Sequence, residues 1–246
     1  MKRIVLILLF LLFWGLQSVN AQDITTGLVG WWRLNEGTGT SAADSSGNSN
    51  TGTLVGSPTW STPGKIGPYG LSLTTNAMSV DIPASASINA LQTITIAAWI
   101  NVTTTTGTGQ RIFEKEPGGF EFLFGTGSTL RFVAELWTVL VGDWKSVGTL
   151  TANVWTHVAV TYTYSDVGNV PIFYINGVAT THTTTQQSVG TLAGETAPLV
   201  LGNRNADRTL SGVLDDARLY NRVLTATDIA TLYRYRSGAK QREGSS

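Results

Sequence analysis

The dipeptide Asn176-Gly177 constrains the fold more than any other short segment, because it separates two runs that have the composition of β-strands. Asparagine and glycine both tolerate the positive φ that a two-residue type I′ turn requires. The sequence therefore predicts a hairpin in which Ile172–Ile175 pairs with Val178–Thr181. At this point the chain must form an antiparallel sheet.

Strand-like alternation extends well beyond the hairpin. From Thr93 to Val102, aliphatic residues occupy every second position, which is typical of a strand with one face on a core. Segments 130–136 and 154–164 continue the pattern, and turn signals recur about every 8–12 residues. No repeated strand–helix unit interrupts these runs, so the strands are predicted to pair with one another.

One helix is predicted, near the end of the chain over Thr225–Tyr233. Thr225 can cap it, and Asp228 completes a capping box. Together with the many short strands, this predicts an all-β fold: a two-sheet antiparallel jelly-roll sandwich with one short C-terminal helix.

The first residues have the pattern of an export signal. Lys2 and Arg3 precede an apolar run from Ile4 to Leu16, and a cleavage site with small residues follows at Val19-Asn20-Ala21. The run is shorter than the ~20 residues that span a bilayer, so a membrane anchor is the weaker interpretation. We predict a signal peptide over residues 1–21, a jelly roll over 22–236 and a disordered tail over 237–246.

Charge and cysteine content narrow the class of protein. The formal net charge is +0, with 16 basic and 16 acidic residues, so no basic face is available for nucleic acid. The chain has no cysteine, and an exported domain without disulfides must be held by its core. The export signal, with no second apolar stretch long enough to cross a membrane, predicts a secreted, periplasmic or extracellular protein that does not span a membrane.

The order of several motifs resembles one known family. They are, from the N-terminus, Gly27-Leu28-Val29-Gly30-Trp31-Trp32, Asp44-Ser45-Ser46-Gly47-Asn48, Ile94-Thr95-Ile96-Ala97-Ala98-Trp99, Trp155-Thr156-His157-Val158-Ala159, the Asn176-Gly177 turn, Leu201-Gly202-Asn203 and Leu214-Asp215-Asp216-Ala217-Arg218. The chain is similar over roughly residues 27–234 to the laminin-G-like, concanavalin A-like lectin/glucanase domains of bacterial secreted proteins. The resemblance implies a jelly roll that binds glycans or proteins, often with a structural calcium ion.

The same resemblance implies a calcium site where the two ends of the domain meet. Its candidate ligands are Glu36, Asp44 and Asp215, with backbone carbonyls near Asp44–Gly47, and chelation is then expected to lower the melting temperature. Strand alternation directs Asp215 toward the apolar interior, whereas Asp216 and Arg218 share the other face and can pair. Hydrogen bonding of Asp215 to nearby backbone or to Arg218, and an Asx turn at Asp44, are the alternatives.

The residues that catalysis would need are scarce. Only two histidines are present, His157 and His182, which disfavours a zinc site or a Ser-His-Asp triad, and His157 is interpreted as structural. Glu114, Glu116 and Glu121 surround Pro117-Gly118-Gly119 without the Glu-x-Asp-x-x-Glu strand motif of related glucanases. We interpret this group as a hairpin with solvated charges and predict that the protein is not an enzyme.

Aromatic residues in or beside loops are the candidate ligand contacts, because sugar rings stack on exposed aromatic faces. They are Trp60, Tyr69, Trp137 and Trp144, with the polar pair Asn203 and Arg204 as rim contacts; each aromatic can alternatively cover a core edge. The predicted partner is a polysaccharide or glycosylated surface. A protein-binding adhesion or envelope module and a polysaccharide hydrolase or lyase are the alternatives, and the oligomeric state is open.

Overall fold

A computed structural model describes residues 23–74, 77–105, 109–191, 193–202, 208 and 210–235. The predicted signal peptide and the predicted tail lie outside the described residues, so both stay predictions. Within the described part of the chain, no helix has the length and apolar character needed to cross a membrane.

The described strands, numbered β1–β17 along the chain, form two antiparallel sheets. Sheet A has the order β14-β13-β12-β7-β17-β5-β4, with β1 also paired to β17. Its strands are β1 (Leu28–Trp32), β4 (Thr59–Ser61), β5 (Gly70–Leu73), β7 (Thr93–Val102), β12 (Thr156–Thr163), β13 (Ile172–Ile175), β14 (Val178–Thr180) and β17 (Gly212–Tyr220).

Sheet B has the order β15-β11-β10-β9-β8-β16-β6-β3-β2. Its strands are β2 (Ser41–Ala42), β3 (Gly52–Val55), β6 (Ser79–Ile82), β8 (Arg111–Lys115), β9 (Phe120–Phe124), β10 (Thr129–Ala134), β11 (Gly142–Thr149), β15 (His182–Gln186) and β16 (Leu199–Gly202). A 3₁₀ turn at Thr126–Ser128 joins β9 to β10. The two-sheet, nearly all-β architecture confirms the predicted fold class.

The main core lies between the sheets and follows the predicted alternation. On β7, Ile94, Ile96 and Ile100 are at most 1% exposed and belong to the inter-sheet cluster, whereas Ala97 belongs to a second cluster on the outer face. From sheet B, Phe122 and Phe132 enter the same inter-sheet core. The alternation of side chains along each strand thus places one face in the core between the sheets, while the other face points outward from the sandwich.

The predicted hairpin and helix are both confirmed. Asn176 and Gly177 have φ of 51° and 80°, and Ile175 pairs with Val178 across the turn. Helix α1 spans Ala226–Arg234, with Thr225 as N-cap and a complete capping box through Asp228. Local sequence signals were sufficient for both elements because their determining residues are adjacent in the chain.

The first and last strands lie side by side, as predicted, but the last one contains a bulge. Trp31 pairs with Arg218, and the register against β7 shifts between Asp215 and Arg218, where Asp216 has φ 48°. An extra residue in a strand reverses the alternation beyond it. The expected direction of Asp215 is therefore wrong: it pairs with Trp99 and shares the outer face of sheet A with Arg218.

Helix α1 and the N-terminal segment cover the outer face of sheet A. Ile229 and Leu232 of the helix pack with Ala97, Ala159 and residues of neighbouring strands in the second apolar cluster. The loop at residues 64–66 closes the adjoining region, where the backbone N–H groups of Lys65 and Ile66 donate to Asp215 Oδ2 at 2.6 and 2.8 Å. This face of the molecule is sealed by hydrocarbon together with the buried carboxylates of Asp215, Asp216 and Asp228.

Candidate functional site

The outer face of sheet B carries charged side chains instead of an apolar cover. Phe120, Phe122 and Phe124 of β9 point into the core, so Glu121 between them faces outward. Glu121 lies opposite Glu114 on β8 and Val133 on β10. Adjacent strands thus bring acidic and apolar positions into one row across this face.

Arg111 is the centre of an ion-pair network on this face. Its guanidinium lies 3.2 Å from Glu114 and 3.4 Å from Glu116, and it also pairs with Glu121. The Arg111 residue is only 2% exposed, and burial lowers its pKa while Glu116 and Glu114 act in the opposite direction. A buried guanidinium surrounded by carboxylates is fixed in position, because separating the charges leaves them uncompensated.

A second pair lies on β10 and β11. Arg131 donates from Nε and Nη2 to the two oxygens of Asp143 at 2.7 and 2.8 Å, the planar bidentate geometry of an arginine–carboxylate pair. The hydrogen bond to Asp143 raises the pKa of Arg131. The side chain of Arg131 is 34% exposed and that of Asp143 only 9%, so the pair presents mainly the arginine's donors to solvent.

Three carboxylates converge beside these arginines. Oxygens of Glu116, Glu121 and Glu135 lie within 4.8 Å of one another. Burial, and then the nearby charge of Glu116, raises the pKa of Glu135, while the backbone N–H of Gly118 donates to Glu135 Oε2 at 3.3 Å and opposes the rise. Burial thus favours the protonated form of Glu135.

These groups line an open cleft with a volume of about 420 Å³. Its charged lining consists of Arg111, Glu121, Arg131, Glu135 and Arg208, and its apolar lining of Val133 and Val141. The backbone N–H of Arg111 donates to the carbonyl of Arg208 at 3.0 Å, which places Arg208 beside β8. A concave surface on which polar groups converge is a candidate ligand site, although this one is more polar than most small-molecule pockets.

The sequence identified part of this site but misjudged its environment. The hairpin at Pro117-Gly118-Gly119 is present, between β8 and β9. Its charges are not solvated as expected, because Glu114 and Glu121 are only 4% and 6% exposed. The role of Arg111 was missed, since no local signal shows that it meets Glu121, which lies ten residues away.

The predicted aromatic contacts are not gathered into one site. Trp144 is fully buried on β11, stacked on Phe132 with ring centroids 6.4 Å apart, so its prediction as an exposed ligand contact is wrong. Trp60 is half-buried on β4 against the core, and Tyr69 is half-buried with its backbone N–H donating to Asn35. Asn203 and Arg204 lie outside the described residues.

Trp137 is the predicted aromatic that reaches a surface depression. It is 7% exposed and lines a shallow hollow of about 410 Å³ with Tyr164, Asp166 and Thr191. The rings of Trp137 and Tyr164 are 6.4 Å apart. With so little of its surface open, Trp137 offers an edge rather than a stacking face.

Asp44, one of the predicted calcium ligands, is held by hydrogen bonds, and the calcium site itself stays a prediction. Asp44 accepts four hydrogen bonds: at Oδ1 from the N–H groups of Trp31 and Ser46, and at Oδ2 from the N–H of Asn50 and the Ser46 hydroxyl. Four donors occupy the lone pairs of a carboxylate, so Asp44 forms the Asx turn instead. In the ranges the structure describes, Glu36, Asp44 and Asp215 are not among the acidic groups that converge.

Of the buried acids near the chain ends, Asp216 has two side-chain partners, whereas Asp215 Oδ1 has no hydrogen-bond partner among the described residues. Asp216 Oδ1 accepts from Trp31 Nε1 at 2.7 Å and pairs with Arg218 at 3.0 Å, which confirms the expected Asp216–Arg218 pair. Burial raises the pKa of Asp215 to about 7. His157 is 3% exposed, packs against Trp99 and has a pKa lowered by burial to about 3, so it is a neutral core residue.

Sequence comparison defines the family. The laminin G model of the concanavalin A-like lectin/glucanases superfamily matches residues 74–230, so the chain belongs to this superfamily. A comparison with curated proteins gives no significant match.

Solved structures share the fold at low sequence identity. The binding domain of Paraclostridial Mosquitocidal Protein 1 superposes with a TM-score of 0.68 at 18% identity, over 86% of this chain and 52% of that one. Domain 4 of AbnA, an extracellular arabinanase from Geobacillus stearothermophilus, in complex with arabinotriose, gives a TM-score of 0.64 at 22% identity, over 84% of this chain and 98% of that one. A structure reported with the finding that cell entry of botulinum neurotoxin type C depends on interaction with two ganglioside molecules gives a TM-score of 0.66 at 15% identity, over 86% of this chain and 52% of that one. This chain therefore spans about half the length of the two toxin structures.

Proposed function

We propose that the protein is an exported, non-catalytic binding module that recognises carbohydrate in the cleft on the outer face of sheet B. The observation that carries the proposal is the cleft itself, in which ion-paired arginines and carboxylates stand beside Val133 and Val141. Sugar rings combine hydroxyl edges with apolar C–H faces, and such a lining complements both. The arabinotriose complex of the arabinanase domain and the ganglioside dependence of the neurotoxin support this ligand class.

A binding assay with a matched pair of variants tests the proposal. Soluble polysaccharides would be titrated into the purified protein, into Arg131→Ala and into Arg234→Ala, which removes an exposed arginine from helix α1 on the opposite sheet. Loss of hydrogen bonds from a charged donor should weaken binding roughly tenfold or more in Arg131→Ala. Arg234→Ala should bind like the wild type.

Two outcomes contradict the proposal. Binding of no polysaccharide at high protein concentration would favour a protein-binding adhesion or envelope module. Equal weakening in both variants would place the glycan site elsewhere on the molecule. Melting temperatures of all three proteins show whether a loss of binding reflects a loss of folding.

A polysaccharide hydrolase is the second candidate, and the convergence of Glu116, Glu121 and Glu135 favours it. Retaining glycosidases use two carboxyl groups about 5–5.5 Å apart, one of them with a raised pKa as at Glu135. Against it, Arg111 pairs with both Glu116 and Glu121 and so holds two of the three acids. Release of reducing ends from the polysaccharide that binds, abolished in Glu135→Gln, would establish hydrolysis.

A further inference from the structure

We propose that the cleft selects an uncharged glycan and discriminates against both uronic acids and amino sugars. The inference rests on the proposed function and assigns the chemical class of its ligand. The inference has two grounds. The charged side chains of the cleft already pair with one another, and some of their hydrogen-bonding groups take no part in these ion pairs.

Fixed charges at the base of the cleft already have counter-charges. Arg111 is buried among Glu114, Glu116 and Glu121. An anionic sugar that bound Arg111 would have to displace one of these carboxylates and leave it buried without its partner. Such an exchange is unfavourable, because an uncompensated buried charge costs more than the new pair returns.

Side chains of both charges line the cleft. A carboxylate on the sugar that approached Arg131 or Arg208 would also face Glu121 and Glu135, which line the same cleft. An ammonium group that approached Glu135 would face the arginines in turn. Either ion meets like charge at short range, and like-charge contacts are an effective means of rejecting a ligand.

Sugar hydroxyl groups, in contrast, can form hydrogen bonds with the N–H donors that the ion pairs do not use. A guanidinium has five N–H donors, and Arg131 commits Nε and one Nη2 hydrogen to Asp143. The carboxylate of Asp143 retains acceptor capacity beyond these two bonds. Arg131, which lines the cleft and is 34% exposed, thus offers N–H donors to sugar hydroxyls, whereas Asp143, 9% exposed, holds the guanidinium in position.

The test compares three classes of polysaccharide at two salt concentrations. Affinity for a neutral polymer such as arabinan, for anionic polygalacturonate and for cationic chitosan would be measured by calorimetry in about 50 mM and about 500 mM NaCl, because screening weakens ionic binding selectively. We expect the neutral polymer to bind tightest, with less than about a twofold change in affinity across the salt range, since it forms no ion pair.

A charge variant sharpens the result. Asp143→Asn leaves Arg131 without its counter-ion, so we expect affinity for polygalacturonate to rise several-fold and to become salt-dependent. Asp23→Asn, an equal charge change at an exposed site outside the cleft, should leave polygalacturonate binding unchanged.

The outcomes separate this inference from the proposed function. If a charged polymer binds the wild type best, with an affinity that falls steeply with salt, the inference is overturned while glycan binding stands. If none of the three polymers binds, the inference falls together with the proposed function. An unchanged polygalacturonate affinity in a folded Asp143→Asn protein would also overturn it.

Discussion

The outer faces of the two sheets are built from the same alternating strands but are completed in different ways. On sheet A, Ile229 and Leu232 of helix α1 seal the face with hydrocarbon. On sheet B, Arg111 and its glutamates form a compensated network that leaves a cleft open. Apolar contacts stabilise a fold without specifying a ligand, whereas fixed donors and acceptors specify a ligand and contribute less to stability when solvent reaches them.

The largest effect should come from the sealed face. Leu232 is 1% exposed in the second apolar cluster, so Leu232→Ala removes buried methyl groups and leaves a cavity. We expect a loss of about 2–5 kcal/mol in the free energy of unfolding, measured by urea denaturation, with glycan affinity unchanged. Arg131→Ala should show the reverse, a loss of about 1 kcal/mol or less, because its ion pair is partly exposed.

These two variants can break the comparison between the faces. A loss of stability in Arg131→Ala as large as in Leu232→Ala would show that the charged face is a structural element. A loss of glycan affinity in a folded Leu232→Ala protein would show that the two faces are coupled. In either case the division of roles between the sheets would be wrong.

A smaller effect should follow the ionisation of Asp215 on the sealed face. Burial raises its folded pKa from 3.8 to about 7, so the folded state holds this proton more tightly than the unfolded chain. The stability that this proton provides is present below pH 3.8 and is lost as the pH rises to about 7. We expect a loss on the order of 2 kcal/mol in the wild type relative to Asp215→Asn, less than the full shift because water can enter on ionisation.

The measurement is the difference in unfolding free energy between wild type and Asp215→Asn from pH 4 to 8. The difference between the two proteins is needed because His157 contributes a pH dependence of the opposite sign. Its pKa is lowered from 6.5 to about 3, so the folding stability that neutral His157 provides is lost as the pH falls below 6.5. The two profiles should diverge as the pH rises toward about 7. Parallel profiles would mean that Asp215 is solvated or that its backbone hydrogen bonds hold it ionised throughout.

The architecture could be predicted from sequence because its signals are local. The turn at Asn176-Gly177, the alternation in Thr93–Val102 and the capping box of Thr225 and Asp228 each depend on neighbouring residues. The direction of the Asp215 side chain could not be predicted, because a bulge at Asp216 reverses the alternation and no residue type there indicates a bulge. One inserted residue is enough to move a side chain to the opposite face.

The site was harder to predict because it depends on contacts between distant segments. The sequence predicts Trp144 in or beside a loop, but β11 already begins at Gly142 and places the indole in the core. The sequence predicts solvated glutamates near Pro117, because it does not show that Arg111 pairs with them in the fold. Arg208 reaches the same cleft from almost a hundred residues further along the chain. The sequence therefore indicated a binding class but not the surface that would carry it.

Removal of divalent cations should have the smallest effect, because Asp44 and one oxygen of Asp215 are committed to hydrogen bonds, which leaves Asp215 Oδ1 and Glu36 Oε2, within the described part of the chain, as the buried oxygens without a partner among these acids. Asp44 uses its carboxylate for four hydrogen bonds, and Asp215 Oδ2 accepts from two backbone N–H groups. A cation bound only by the folded state would raise the melting temperature by mass action, so chelation would lower it. We expect no shift with EDTA by differential scanning fluorimetry. A drop that calcium reverses and magnesium does not would indicate oxygen ligands other than Asp44, which could coordinate an ion only by giving up the turn that it holds, and Asp215 Oδ1 and Glu36 Oε2 would be the first to test.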